Sequence, residues 1–140
     1  MSIEKILKEC HTVAVVGASP NPDRISHHVF NYLCQHGYKA IPVNPTATEV
    51  AGKTCYASLS AVPEKIDVVD VFRRSEDVMP VVEEAIKVGA RAVWMQEGVV
   101  NGEAEARALA AGLLVVMDHC IMKEHKRLMG KGNSLTSGPR

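Results

Sequence analysis

The sequence predicts an α/β domain built on a five-stranded parallel sheet with helices on both faces. Three observations predict it. Short β-branched runs alternate with amphipathic, helix-spaced segments from one end of the chain to the other. The run Thr12-Val13-Ala14-Val15-Val16 is apolar and β-branched, as a strand buried on both faces is, rather than alternating apolar and polar. Glycine or Asn-Pro punctuates the joints.

The elements follow in order. Ser2 can cap a first helix, with Ile3, Ile6, Leu7 and Cys10 at helical spacing. Thr12 to Val16 is the first strand and ends at Gly17. A loop from Ala18 to Asp23 leads to a helix that runs to His36, with Val29 and Leu33 inward and Gly37 as its stop. Tyr38 to Val43 is the second strand, closed by Asn44-Pro45; an irregular stretch then runs to about Ile66. Asp67 to Phe72 is the third strand. Ser75 to Val88 is a helix in which Asp77 as cap places Pro80 in the first turn, where its missing N–H is harmless. Arg91 to Met95 is the fourth strand, and Asn101 caps an Ala-rich helix that stops at Gly112. Leu113 to Met117 is the fifth strand, and Ile121 to Leu128 a last helix. Residues 1–129 form one domain; the Gly-, Ser- and Lys-rich tail 130–140 is expected to be disordered. Alternation of this kind with right-handed crossovers fits the Rossmann-like, doubly wound order 3-2-1-4-5, with its switch point between strands 1 and 4. Ligands bind beyond the carboxyl ends of such strands, so the residues just after each strand are the candidates.

Composition narrows the function. The chain has 140 residues, with 16 basic and 16 acidic side chains. A balanced charge with no basic stripe argues against nucleic acid or a membrane surface as partner. No apolar run reaches the roughly 18 residues of a membrane span. The start, Met1-Ser2-Ile3-Glu4-Lys5, lacks an apolar signal core, so a cytoplasmic location with reduced thiols is expected for the scattered Cys10, Cys34, Cys55 and Cys120. Whether the chain pairs with itself or with another protein is not written in it.

After strand 1, Gly17-Ala18-Ser19-Pro20 forms a turn where a phosphate can approach the backbone and the N-terminus of the next helix. The dinucleotide fingerprint G-x-G-x-x-G is incomplete: Ser19 and Pro22 replace its second and third glycines. Asn44 stands where an acid would grip the ribose diol, and with Pro45 it is expected among the cofactor-binding residues. Both departures weigh against NAD and suit a phosphorylated adenosine. Arg24, Lys53, Arg73 and Arg74 all fall at strand ends on the ligand side, and Phe72 could pack on an adenine. Gln96, Glu97 and Gly98 follow strand 4, beside the expected switch point and opposite Gly17, where a carboxylate could accept from the amides of a ligand arm. Asp118-His119-Cys120 follows strand 5. Strand geometry sends His119 and Cys120 in different directions, and neither this segment nor His27, His28, Cys34 and His36 has metal spacing. No catalytic or metal residue is therefore assigned.

Together Val-Val-Gly-Ala-Ser-Pro at 15–20, Val-Asn-Pro at 43–45, Val-Val-Asp-Val-Phe-Arg at 68–73, Trp-Met-Gln at 94–96 and Met-Asp-His-Cys at 117–120 carry a family resemblance. The chain resembles the small stand-alone CoA-binding proteins of bacteria and archaea. Their Rossmann-like domain is similar to the CoA-binding domain of the succinyl-CoA synthetase α subunit. The resemblance implies coenzyme A as ligand, Gly17 to Pro20 as the pyrophosphate turn, Lys53 as a further CoA contact, and Gln96, Glu97 and Gly98 on the pantetheine side. This chain has His119 where family members often carry Arg. The synthetase's phosphorylated histidine belongs to a second domain that has no counterpart here, so ligase activity does not follow. The expected function is a module that holds CoA or an acyl-CoA for carriage, sensing or regulation. The alternatives are an NADP-binding or redox-sensing domain, and a CoA-dependent enzyme that uses Cys120.

Overall fold

The computed structural model describes residues 2–130. The expected tail, from 131 on, lies outside them. The elements are α1 (Ser2–Glu9), β1 (Thr12–Val16), α2 (Ile25–Gln35), β2 (Lys39–Val43), a small antiparallel hairpin of β3 (Glu49–Val50) and β4 (Lys53–Thr54), β5 (Val68–Val71), α3 (Val78–Lys87), β6 (Ala92–Met95), α4 (Gly102–Ala110), β7 (Leu114–Val116) and α5 (Ile121–His125). One 3-10 turn, Ser75–Asp77, leads into α3, and one π turn, Lys126–Gly130, follows α5.

Five strands pair in parallel in the order β2-β1-β5-β6-β7. Outside β2, Tyr56 makes a single parallel bridge to Val43. This stub occupies the place of a third strand, and with it the sheet reads 3-2-1-4-5 outward, with β7 added beyond. The Rossmann-like pattern is therefore present, but its occupants are shifted. The segment predicted as the third strand is not the outer one; β5 lies directly against β1, with Val15 opposite Asp70. The switch point is between β1 and β5. The irregular stretch between β2 and β5 contributes only the hairpin and the stub, so the chain crosses back to β1 before it builds another full strand.

Alternation along each strand sends side chains to two cores. Val13, Val15, Val68, Ala92 and Trp94 face α1, α2 and α5. Ala14, Val16, Val69, Val71, Val93 and Met95 face α3 and α4. Caps and stops follow the chemistry of the chain. Asn101 Oδ1 accepts from Ala104 N–H at 2.9 Å, closing the first turn of α4. Asp77 precedes α3 without capping it through its side chain, which is held instead by Arg74 Nε at 2.9 Å.

Two polar features break the apolar pattern. Asp70 stands fully buried in β5 between Val15 and Trp94, and neither carboxylate oxygen has a hydrogen-bond partner. Burial pushes its carboxyl well above the usual carboxylate range, which favours the neutral acid inside the fold. At the other end of the same face, α5 is tied to α2. Tyr32 Oη and His125 Nδ1 hydrogen-bond at 2.7 Å, and the Tyr32 and His36 rings stack with centroids 3.8 Å apart. Burial, and His36 beside it, hold the His125 imidazole below its usual value.

These two groups titrate with opposite consequences. Asp70 keeps its proton in the fold but loses it near 3.8 when unfolded, so its contribution to stability is full below that pH and is lost as pH rises toward the raised native value. Replacing it with Val should stabilise the protein by about 1–3 kcal/mol at neutral pH. Asp70→Asn should remove this slope from urea-unfolding free energies measured between pH 4 and 7; a wild type and an Asn variant with parallel pH profiles would show that Asp70 is charged in the fold. His125 acts the other way. Its contribution is full above 6.5 and is lost as pH falls from there through its lowered native value. His125→Gln should flatten the loss of stability seen in the same experiment on acidification below 6.5.

Candidate functional site

The site starts from a backbone constraint. Gly17 ends β1 with φ +95°, a left-handed conformation that favours glycine. Its N–H donates to Val43 O at 2.8 Å, and the next residue of β5's extension, Phe72, donates its N–H to Val16 O at 2.8 Å. A Cβ at Gly17 would lie 2.2 Å from the Phe72 carbonyl oxygen and 3.1 Å from a guanidinium nitrogen of Arg73. No side chain fits there. The bare backbone turn and the Arg73 guanidinium are thereby pressed together at the switch point.

The loop that follows is held by its own polar groups. Ser19 N–H donates to Ser26 Oγ at 3.1 Å, and Ser19 Oγ accepts from Asn21 N–H at 3.1 Å. His27 Nδ1 donates to the Ser19 carbonyl at 2.8 Å. Asn44 Nδ2 reaches across from the end of β2 to donate to the Ala18 carbonyl at 2.9 Å, while its Oδ1 accepts from Thr46 N–H and Oγ1. This explains the amide where a dinucleotide site would have an acid: a carboxylate cannot donate to Ala18. Asn44 therefore braces the turn through its side-chain amide.

Beyond the carboxyl ends of β5 and β6 lies a cleft of about 450 Å³, lined by Arg24, Ile25, Phe72, Arg73, Arg74, Gln96, Glu97, Val99, Cys120 and Lys123. It brings together Arg24, Phe72, Arg73, Arg74, Gln96 and Glu97 among the expected residues. Ile25, half exposed at the start of α2, and Val99 add an apolar wall that sequence reasoning missed. Among the described residues neither Arg24 nor Arg73 has an ion-pair partner. Arg74 differs: Asp77 and Glu76 hold it at 2.9 and 3.6 Å, and they raise its pKa.

The segment after β6 is not opposite Gly17, because β5 stands between them. Gln96 is buried, and its Oε1 accepts from Ile121 N–H at 3.2 Å, fixing the start of α5. Glu97 is ion-paired to Lys123 at 2.8 Å. Gly98 does not line the cleft; its N–H donates to Asp118 Oδ1 at 2.7 Å. His119 is exposed, while Cys120 is buried at the cleft floor and, among the described residues, hydrogen-bonds to no imidazole. The Trp94 indole N–H, donating to the His119 carbonyl at 2.8 Å, holds this stretch down.

Lys53 is not brought to this cleft. It stands on β4, which folds outward along β2, and it lines a separate groove of about 190 Å³ with Cys34, Tyr38, Lys39, Pro42, Tyr56 and Glu64. Lys39 in that groove is already paired with Glu64 at 2.9 Å. Lys123 was missed because nothing in a short terminal helix shows that it lies over the sheet end.

This geometry can hold a polyanion with an apolar arm: guanidinium groups beside a bare turn, with aliphatic and aromatic side chains in the same lining. Comparison with known proteins agrees with that chemistry. Residues 11–126 match the CoA binding domain family. The chain is 43% identical over 123 residues to the YneT protein of Bacillus subtilis, covering 88% of this chain and 91% of that one. A solved protein of Pyrococcus horikoshii superposes with a TM-score of 0.89 at 47% identity, over 91% of this chain and 90% of that one. A dinucleotide-forming acetyl-coenzyme A synthetase of Candidatus Korarchaeum cryptofilum superposes with a TM-score of 0.69 at 31% identity, over 82% of this chain but only 27% of the synthetase. No helix among the described residues is long and apolar enough to cross a membrane. With its family matched over most of its length, the chain belongs to the CoA-binding domain family.

Proposed function

We propose that this protein holds coenzyme A or an acyl-CoA in the cleft, as a carrier, sensor or regulatory module without catalysis of its own. The observation that carries this is the Arg73 guanidinium lying over the bare Gly17 turn, with no acid paired to it among the described residues. CoA brings about four negative charges, and a chain of zero net charge must gather its positive groups locally. Arg24 and Arg73 are free to meet phosphates at one end of the cleft. Ile25, Phe72 and Val99 can pack along the adenine or the pantetheine arm. Cys120 lies where a thiol or thioester could approach, and among the described residues it hydrogen-bonds to no imidazole. The Asn44 side chain is spent on Ala18 and Thr46, so it offers no grip on a free ribose diol.

Calorimetric titration of the ligand-stripped protein with CoA, acetyl-CoA, NAD, NADP and ATP tests this. CoA should bind more tightly than the other nucleotides. NADP binding in its place would transfer the site to redox chemistry. Arg73→Ala should weaken CoA about tenfold or more, the worth of a charge-assisted hydrogen bond, without changing the melting temperature. An Arg73→Ala variant with wild-type affinity would remove the switch-point turn as the phosphate site.

A further inference from the structure

Of the four basic side chains that line the cleft, two have acidic partners, and the partners differ in kind. Arg74 is held by Glu76 and Asp77, which sit two and three residues further on in its own turn and do not line the cleft. Lys123 is held by Glu97, which comes from the loop after β6, 26 residues away, and is the single acid of the cleft lining. Both members of this pair hang from one joint. Gln96 accepts from Ile121 N–H, so Glu97 leaves the joint on one side and Lys123 two residues along on the other. The backbones are therefore fixed by a buried amide, while both side-chain ends are 60% exposed.

We propose that Lys123 is a phosphate ligand of the cleft and that Glu97 is its internal counter-ion, exchanged for phosphate when an anionic ligand binds. This rests on reading the cleft as the CoA site. An exposed ion pair between a lysine and a carboxylate is worth little in water, so a phosphate of higher charge displaces the carboxylate at small cost. Lysine suits the exchange because its ammonium is a point charge on a flexible stem that can swing between partners. With no ligand bound, Glu97 keeps the mouth of the cleft from collecting weakly charged anions. It thus sets a threshold of charge that a bound molecule must exceed.

Titrating wild type, Glu97→Gln, Lys123→Gln and the double variant with CoA and with dephospho-CoA, at low and moderate salt, tests the exchange. Glu97→Gln should tighten CoA about three- to fivefold, the upper range for an exposed pair, and steepen the salt dependence. Lys123→Gln should weaken CoA by a similar factor. In the Lys123→Gln background, the Glu97 change should lose most of its effect. An effect of Glu97→Gln that disappears with dephospho-CoA assigns Lys123 to the 3′-phosphate; one that persists assigns it to the pyrophosphate, and either supports the exchange. Equal tightening with and without Lys123 would overturn it, because Glu97 would then act by general repulsion. So would unchanged affinity in a wild type that binds CoA. A wild type that binds no CoA would instead remove the cleft reading on which the exchange rests.

Discussion

At Gly17 two backbones meet with no room for a methyl group, and the rest of the site depends on that meeting. The β1 ladder ends there, the chain turns through a left-handed conformation, and the Phe72 carbonyl closes down on the Cα. The approach is possible only because β5 lies beside β1, so it is the sheet order that brings Arg73 over the turn. The loop from Ala18 to Arg24 is then pinned from three sides. Ser26 receives the Ser19 N–H, His27 donates to the Ser19 carbonyl, and Asn44 donates to the Ala18 carbonyl. A turn so held keeps its shape without a ligand, which lowers the ordering cost of binding.

Electrostatics divides the cleft into committed and tied charges. Among the described residues Arg24 and Arg73 have no acid to leave, whereas Arg74 and Lys123 do. The buried elements beneath serve position rather than chemistry. Gln96 seats α5, the Trp94 indole holds the segment before it, and the Tyr32–His125 bond ties its far end to α2. Asp70 stands apart: a neutral acid without a partner in the central sheet, for which packing offers no compensating bond.

The five sheet strands were legible because each is a short, largely apolar segment bounded by turn signals, although β5 carries Asp70 and β2 carries Lys39 and Pro42. Their places in the sheet were harder to read. Position depends on the stretch between Asn44 and Ile66, which adds to the five-stranded sheet one bridge at Tyr56, too short to leave a pattern. That same stretch misdirected Lys53, which is near β2 in sequence but is carried outward by the hairpin. Arg24, Phe72 and Arg73 line one cleft because the carboxyl ends of parallel strands converge whatever their order. Asn44 and Gln96 were read as ligand contacts since a sequence does not show which polar side chains the fold consumes; both are spent on backbone groups. Ile25, Val99 and Lys123 left no signal, because they reach the cleft through the packing of α2, of the loop after β6, and of α5.

The most direct test is where the ligand sits. Backbone amide shifts of the isotope-labelled protein, followed by NMR as CoA is added, report this residue by residue. A site at the switch point predicts that the largest changes fall on Gly17 to Ser19, on Phe72 to Arg74 and on Cys120 to Lys123, with the amides of Lys39, Lys53 and Tyr56 nearly still. Changes confined to Lys39, Lys53 and Tyr56 would place the ligand in the groove along β2 and contradict it.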